Sequence, residues 1–376
     1  MQTMHPCIML GSYVFDADRL PDDEYKIRLD GIYREMDARG LKAIFVYGDA
    51  YEHAAIAYLT NFIPRMRWAI AMLPRHGEPR LLCSMSSRDM PAMRTMTWIK
   101  EVYSGWEWKW FDQWIGKLKE DTPSGAIGKI GFELMPAKLL ANVERSLGNG
   151  FSLEEASDLA GGRTSKRARE LALIRQGCGI TQSSLAVFCD AWRESHDPEQ
   201  AALAAERHAR MNAAQDARTL VSFNGGRTLE PYRGNFDVRT GSLVGYVAVK
   251  YAGYWSDGFV NVGAPAGEAR TARRALGALV RDIRPGQSVN ALHRQTIAAL
   301  DGGDLHPALS GSVGHGIGLS LHEGPEFGSD TDGEVVAGGV YTLQVGTAGK
   351  TAGVLASTMV HVTDAGTRVL VESIVE

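Results

Sequence analysis

The segment Gly314-His315-Gly316-Ile317-Gly318-Leu319, followed after Ser320 by Leu321-His322-Glu323-Gly324-Pro325, constrains this chain more than any other stretch. Two histidines seven residues apart, set among glycines and closed by Glu-Gly-Pro, make a far more specific pattern than a lone Gly-His-Gly. Imidazole titrates near neutrality, so His315 and His322 are natural candidates for moving protons. The plainer alternative is that both rings are supports, hydrogen-bonded within a sheet.

At 376 residues the chain exceeds the size at which one hydrophobic core usually keeps growing, so two domains are expected. Residues 22–40 place Leu29, Ile32, Tyr33 and Met36 at helical spacing, with Gly40 where a helix would stop, and Ala43 to Tyr47 reads as a buried strand. Apolar runs at Trp68 to Leu73, Arg80 to Cys83 and Ile127 to Phe132 extend this into a small α/β domain. Gly and Ser cluster between Leu147 and Gly162, which sets the expected domains at 1–155 and 156–376. A long helical pattern then opens at Thr164 or Ser165 and runs towards Trp192, and Pro198 starts another that reaches Met211. Strand patterns follow at Leu220 to Phe223, Leu243 to Val249, Tyr254 to Val262, Val340 to Val345 and Val354 to Thr363, with helices around Thr271 to Ile283 and Val289 to Leu300. Long helices packed on a curved, mostly antiparallel sheet make the second domain α+β.

The apolar share of 44% and charged share of 22% are those of a soluble globular protein. A net charge of -4 argues against a nucleic-acid partner, which would need an excess of Lys and Arg on one face, and the run Arg163 to Arg169 reads as a helix start. No apolar run approaches the roughly 20 residues that cross a bilayer, and the N-terminus lacks the pattern of a signal peptide, so a cytoplasmic chain with no membrane partner is expected. Cys7, Cys83, Cys178 and Cys189 show no CxxC pairing and sit mostly in apolar surroundings, which reads as reduced, packed thiols. The aromatic group Trp106, Trp108, Trp110, Phe111 and Trp114 reads as domain or dimer packing.

The Gly314 to Pro325 segment resembles the signature of the creatinase, aminopeptidase P and methionine aminopeptidase family, whose catalytic domain is called the pita-bread fold. The strand pair Gly245 to Val249 and Gly253 to Asp257 looks like the hairpin that bears the family's first two aspartates, and the strands around Gln344 and Ser357 look like those bearing its two glutamates. Tyr58-Leu59-Thr60-Asn61-Phe62 is similar to the family's N-terminal domain. The resemblance therefore implies a creatinase-like α/β N-terminal domain followed by an α+β pita-bread catalytic domain, in a homodimer.

Peptidases of this family hold two divalent metals on two Asp, one His and two Glu. At the matching positions this chain has Tyr246, Asp257, His315, Gln344 and Ser357. Two dications side by side repel unless carboxylates compensate, so the resemblance here implies a member without metal or other cofactor. The family's substrate-handling histidine falls near Glu230. Creatinase hydrolyses a C–N bond without metal, and the leading expectation is a metal-independent hydrolase of a small nitrogen-containing metabolite. His315 and His322 would then move protons, with Asp257 and Glu323, or Glu326, positioning them. Tyr246, Gln344, Ser357 and Glu230 would bind the substrate in the remodelled pocket. Strand alternation puts His361 on the side of Ser357 and Met359, where it either reaches that pocket or lies beyond it as an ordinary polar residue. The same rule puts Lys250 beside Tyr246. In creatinase the region matching Phe62, Arg65 and Arg67 closes over the partner subunit's site, so these residues would bind substrate by ring stacking and forked hydrogen bonds. A surface loop is the plainer reading. A lyase on the same fold, a non-catalytic binding protein and, last, a metal-dependent Xaa-Pro aminopeptidase are the alternatives.

Overall fold

The computed structural model describes residues 13–233, 242–300, 306–348 and 353–376. They form two compact units, divided between Arg163 and Thr164. In the first, helix α1 (Asp22–Arg39) opens on Asp22, Asp23 and Glu24, and ends on Arg39, a charge order that suits the helix dipole. Gly40 closes it at φ 69°, the left-handed conformation a glycine enters most cheaply. There follow β1 (Leu41–Asp49), α2 (Ala54–Thr60), β2 (Trp68–Pro74), β3 (Arg80–Cys83), β4 (Glu101–Ser104), α3 (Lys109–Asp121), β5 (Gly125–Ile130), α4 (Ala137–Leu147) and β6 (Phe151–Glu155). The strands form one six-stranded mixed sheet in the order β4-β3-β2-β1-β5-β6.

Apolar side chains of β1, β2 and β5 pack under α3 and α4 around Phe45, Ile70, Met72, Phe111 and Trp114. The aromatic group is therefore largely packing, with Trp108 stacked on Phe111 at 4.6 Å and Trp106 left exposed. The first unit extends to Arg163 because the turn Ser157–Arg163 is tied back to α1 by an ion pair between Arg39 and Asp158. Cys83, Cys178 and Cys189 are buried free thiols, and Cys7 lies outside the described residues.

The second unit starts with α5 (Ala168–Ser195) and α6 (Pro198–Met211). Asp197 caps α6 by accepting from the Glu199 amide, and Pro198 fills the first position, where no N–H is needed. Strands β7 (Asp216–Ser222), β8 (Glu230–Pro231), β9 (Leu243–Tyr251) and β10 (Tyr254–Val262) come next, then α7 (Ala266–Asp282) and α8 (Val289–Ala298). The last strands are β11 (Gly314–Gly316), β12 (Glu323–Glu326), β13 (Val340–Ala348), β14 (Gly353–Thr363), β15 (Gly366–Glu372) and β16 (Ile374–Val375).

Where the sequence suggested one curved sheet, there are two five-stranded sheets, ordered β16-β10-β9-β7-β8 and β12-β11-β13-β14-β15. Helix α5 covers one face of the first, and its Leu185 and Phe188 come so close to Gly258 and Gly245 that an added Cβ would stand 2.8 Å from either side chain. Helix α7 covers one face of the second, packing Ala272, Leu276 and Leu279 against Tyr341, Leu343 and Val345. The sheets join where β10 meets β14: the Asn261 side-chain amide donates to the Leu355 carbonyl at 2.7 Å and accepts from the Leu355 amide at 3.0 Å. Asn261 thus stands in for a strand partner and satisfies two buried backbone groups. No helix among the described residues is long and apolar enough to cross a membrane.

Candidate active site

In the β9–β10 hairpin Tyr246 pairs with Phe259 and Ala248 pairs with Asp257, so Tyr246 and Asp257 stand on one face, away from α5. The Tyr246 hydroxyl donates to Asp257 Oδ2 at 2.9 Å, and the Thr342 hydroxyl of β13 donates to Oδ1 at 2.8 Å. Asp257 is 1% exposed. Burial pushes its carboxyl above the usual range, while His315 and the two hydroxyls pull it back. Burial also lifts the Tyr246 phenol well above its ordinary value, with Asp257 adding to the effect, so this hydroxyl stays a donor.

On β11 His315 lies opposite Thr342 of β13 and Glu326 of β12, on the face that carries Asp257. His315 Nδ1 is 2.8 Å from the Gly316 carbonyl oxygen. A carbonyl only accepts, so Nδ1 carries the proton of the neutral ring and Nε2 is left as the basic nitrogen. The Gln344 amide nitrogen reaches that Nε2 at 3.5 Å. His322 faces its partner imidazole with ring centroids 4.1 Å apart and is open to solvent. Partial burial first, and His315 second, hold His322 below the ordinary imidazole value, while Glu326 and Asp257 act in the opposite direction.

The structure therefore brings together Asp257, His315, His322, Tyr246, Gln344 and Glu326, and adds Thr342. Thr342 escaped the sequence reading although it stands two residues before Gln344, on the same face of an alternating strand. Ser357 pairs with Gln344 across β13 and β14, and its backbone amide and hydroxyl lie 2.7 and 3.1 Å from the Ser373 hydroxyl.

Four expectations need correction. Glu323 is not in the group: it pairs with Gly316, one row from His315, and is buried against the Lys166 ammonium at 3.1 Å while accepting the Ser320 amide. Its part is to pin the loop that carries His322. Glu230 pairs with Val221 in the row that runs on through Gly245, so it stands on the α5 face of the sheet, opposite to Tyr246 and Asp257. His361 shares a face with Ser357 and Met359, but the charges acting on it are Arg175 and Arg368, not the Asp257 group. Phe62 is 3% exposed within the first unit and cannot serve as an open lid. Nearby, Arg67 lays its guanidinium over Trp106, 5.7 Å from the ring centroid, and Arg65 lines a small apolar pocket with Phe62, Met66 and Met85. Lys250 is buried over the Trp255 ring.

The five positions that would hold two metals carry a single carboxylate, Asp257, and both its oxygens accept hydroxyl hydrogens. Among the described residues no group of three or more His, Cys, Asp and Glu is arranged to hold a metal ion. This donor set does not fit a pair of divalent cations, which need several anionic oxygens to offset their mutual repulsion.

The sequence profile of metallopeptidase family M24 matches residues 172–364, half of the chain. The chain belongs to metallopeptidase family M24. A creatinase/prolidase N-terminal domain matches residues 28–160 of this M24 protein. Its first unit is thus the creatinase-type domain, and its second the pita-bread domain. Among solved structures, the prolidase from Pyrococcus horikoshii OT3 is similar at 17% identity and a TM-score of 0.78, over 93% of this chain and 99% of that one. The X-Pro aminopeptidase from Thermotoga maritima MSB8 is similar at 18% identity and a TM-score of 0.75, over 92% and 98%. The N-terminal domain of FACT complex subunit SPT16 from Cicer arietinum (chickpea) is similar at 17% identity and a TM-score of 0.69, over 92% and 95%. No curated protein matches the M24 chain in sequence. At these identities the solved structures share its fold.

Proposed function

We infer that this M24 chain hydrolyses a C–N bond in a small nitrogen-containing metabolite without a metal. The observation that carries the reading is the clamp on Asp257: Tyr246 and Thr342 occupy both oxygens of the one carboxylate left at the ligand positions. The family's prolidase-like chemistry needs that carboxylate for metal, whereas here it is committed to hydrogen bonds. Next to it His315 offers a basic Nε2, because its Nδ1–H is held by the Gly316 carbonyl.

In this mechanism His315 Nε2 takes a proton from a water molecule as the water oxygen adds to the substrate carbon. Asp257, whose carboxyl is drawn down by His315, stands on the same side of the site. The proton then passes to the leaving nitrogen, directly or through His322, and the C–N bond breaks with the electron pair on nitrogen. Gln344 and the Tyr246–Thr342 pair shape the pocket with neutral dipoles. Such proton transfer is worth about a hundred- to ten-thousandfold in rate.

The test is elemental analysis of purified protein with turnover of a panel of guanidino, amidine and proline-containing compounds, with and without chelator and manganese. Chelator-resistant turnover that is lost in His315→Ala supports the reading. Two equivalents of bound metal, or turnover only with manganese, overturns it. A second reading, a non-catalytic recognition domain, draws support from the SPT16 domain, which carries this fold as part of a complex subunit. Loss of all turnover across the panel, with unchanged partner capture in His315→Ala, would favour it.

A further inference from the structure

Helix α5 is tied to β15 at a fixed register. The Gln182 side chain donates to the Glu372 carbonyl at 3.1 Å and accepts from the Glu372 amide at 2.8 Å. One turn nearer the start of the helix, Cys178 Sγ lies 3.6 Å from Met359 Sδ, and Met359 pairs with Val371 of β15. Both contacts step in the same direction, towards lower numbers in the helix and in β15. Arg175, seven residues before Gln182 and on its helix face, is carried by that step to the next pair in the sheet, His361 with Arg368.

His361 is 7% exposed, and its Nδ1 is buried with no hydrogen-bond partner among the described residues. Arg175 and Arg368 are exposed, and among the described residues neither makes a hydrogen bond or ion pair. These two arginines are the charges that act on His361, adding to the burial that holds its ring below the ordinary imidazole value. Both guanidinium groups disfavour a charged His361 ring, and its buried nitrogen without a partner is costly. One ligand with several anionic oxygens relieves both, since guanidinium forks match carboxylate and phosphate oxygens, and a neutral imidazole still donates one N–H.

We propose that Arg175, His361 and Arg368 form a binding site for a small oxyanion, a phosphate or carboxylate group, at the edge where α5 crosses β14 and β15. The site is independent of the hydrolytic reading of Asp257 and His315.

The test is calorimetric titration of the whole chain with inorganic phosphate, and separately acetate, at fixed ionic strength. The variants are Arg175→Gln/Arg368→Gln and His361→Ala, with thermal unfolding without ligand as the folding control. Saturable binding that weakens at least tenfold in the double arginine variant, and also weakens in His361→Ala, supports the site. A higher affinity for acetate or for phosphate then tells which group it takes. Absence of saturable binding, or equal binding by wild type and the double arginine variant, overturns it, the second outcome marking general screening by salt.

Discussion

Tyr246→Phe isolates one bond of the Asp257 clamp, because it removes a hydroxyl and leaves the ring packed on Phe259, whose centroid is 5.1 Å away. A hydrogen bond to a charged group contributes about 1.5–3 kcal/mol, equivalent to roughly 1–2 pKa units on the acceptor. Asp257 already holds its proton more tightly folded than unfolded, because burial raises it. Its contribution to stability is therefore full below the ordinary aspartate value, about 3.9, and is lost as pH rises through the raised folded value. Removing the Tyr246 hydroxyl raises that folded value further, so the deficit of the variant opens as pH rises and levels off above the new value. For a unit of this size 1 kcal/mol moves Tm by about 2–4 °C, so the expected loss at pH 8 is about 3–12 °C. Below the raised folded value, where both forms carry a protonated Asp257, only a neutral bond of about 0.5–1.5 kcal/mol is missing. Calorimetric unfolding of both proteins from pH 4.5 to 8 measures the difference. A loss equal at every pH would reveal a packing defect, and no loss at pH 8 would show that the hydroxyl does not hold an ionised Asp257; either result refutes the reasoning.

Thr342→Val removes the other hydroxyl and is expected to give a loss of the same sign and similar pH profile, checked in the same scans. Glu230→Gln, on the far face of its sheet, is expected to leave kcat/KM within twofold of wild type on any substrate found, whereas His315→Ala lowers it by about a hundred- to ten-thousandfold. His306, His322 and His361 are all held below the ordinary imidazole value. They take up protons more readily unfolded, so their stability is present above about pH 6.5 and lost as pH falls below it, and the urea midpoint should drop between pH 7 and pH 5. Restoring carboxylates with Tyr246→Asp/Gln344→Glu/Ser357→Glu is expected to create manganese binding visible by elemental analysis, and Gln344→Glu alone is not.

Much of this was legible in the sequence because its signals are local. Gly40 stops α1 as expected, and β10 starts at Tyr254 straight after the Ala252-Gly253 turn and runs to Val262. Strands β11 and β12 were invisible as strands, since a glycine-rich run has no alternation to read. The corrections share a different cause. Glu323 has its partner at Lys166, and His361 lies under a helix that also precedes it by well over a hundred residues, so no periodicity within either segment could announce the contact. The face of Glu230 was hidden in the two-residue strand that decides its register. The junction of the two sheets is bonded through Asn261, whose role depends on meeting Leu355.

The Lys166–Glu323 pair joins groups 157 residues apart and closes most of the second unit into a ring. Closing so long a loop costs chain entropy that native contacts must first repay, so contacts of this kind form late in folding. Until then the segment bearing His322 lacks this anchor, and a chain emerging from the ribosome carries its first site residues long before it can complete the group around Asp257. Reactivity of His322 towards a carbonate-type acylating reagent during refolding should therefore settle to its native level after the helices have formed, which makes this imidazole a clock for the final docking of the unit.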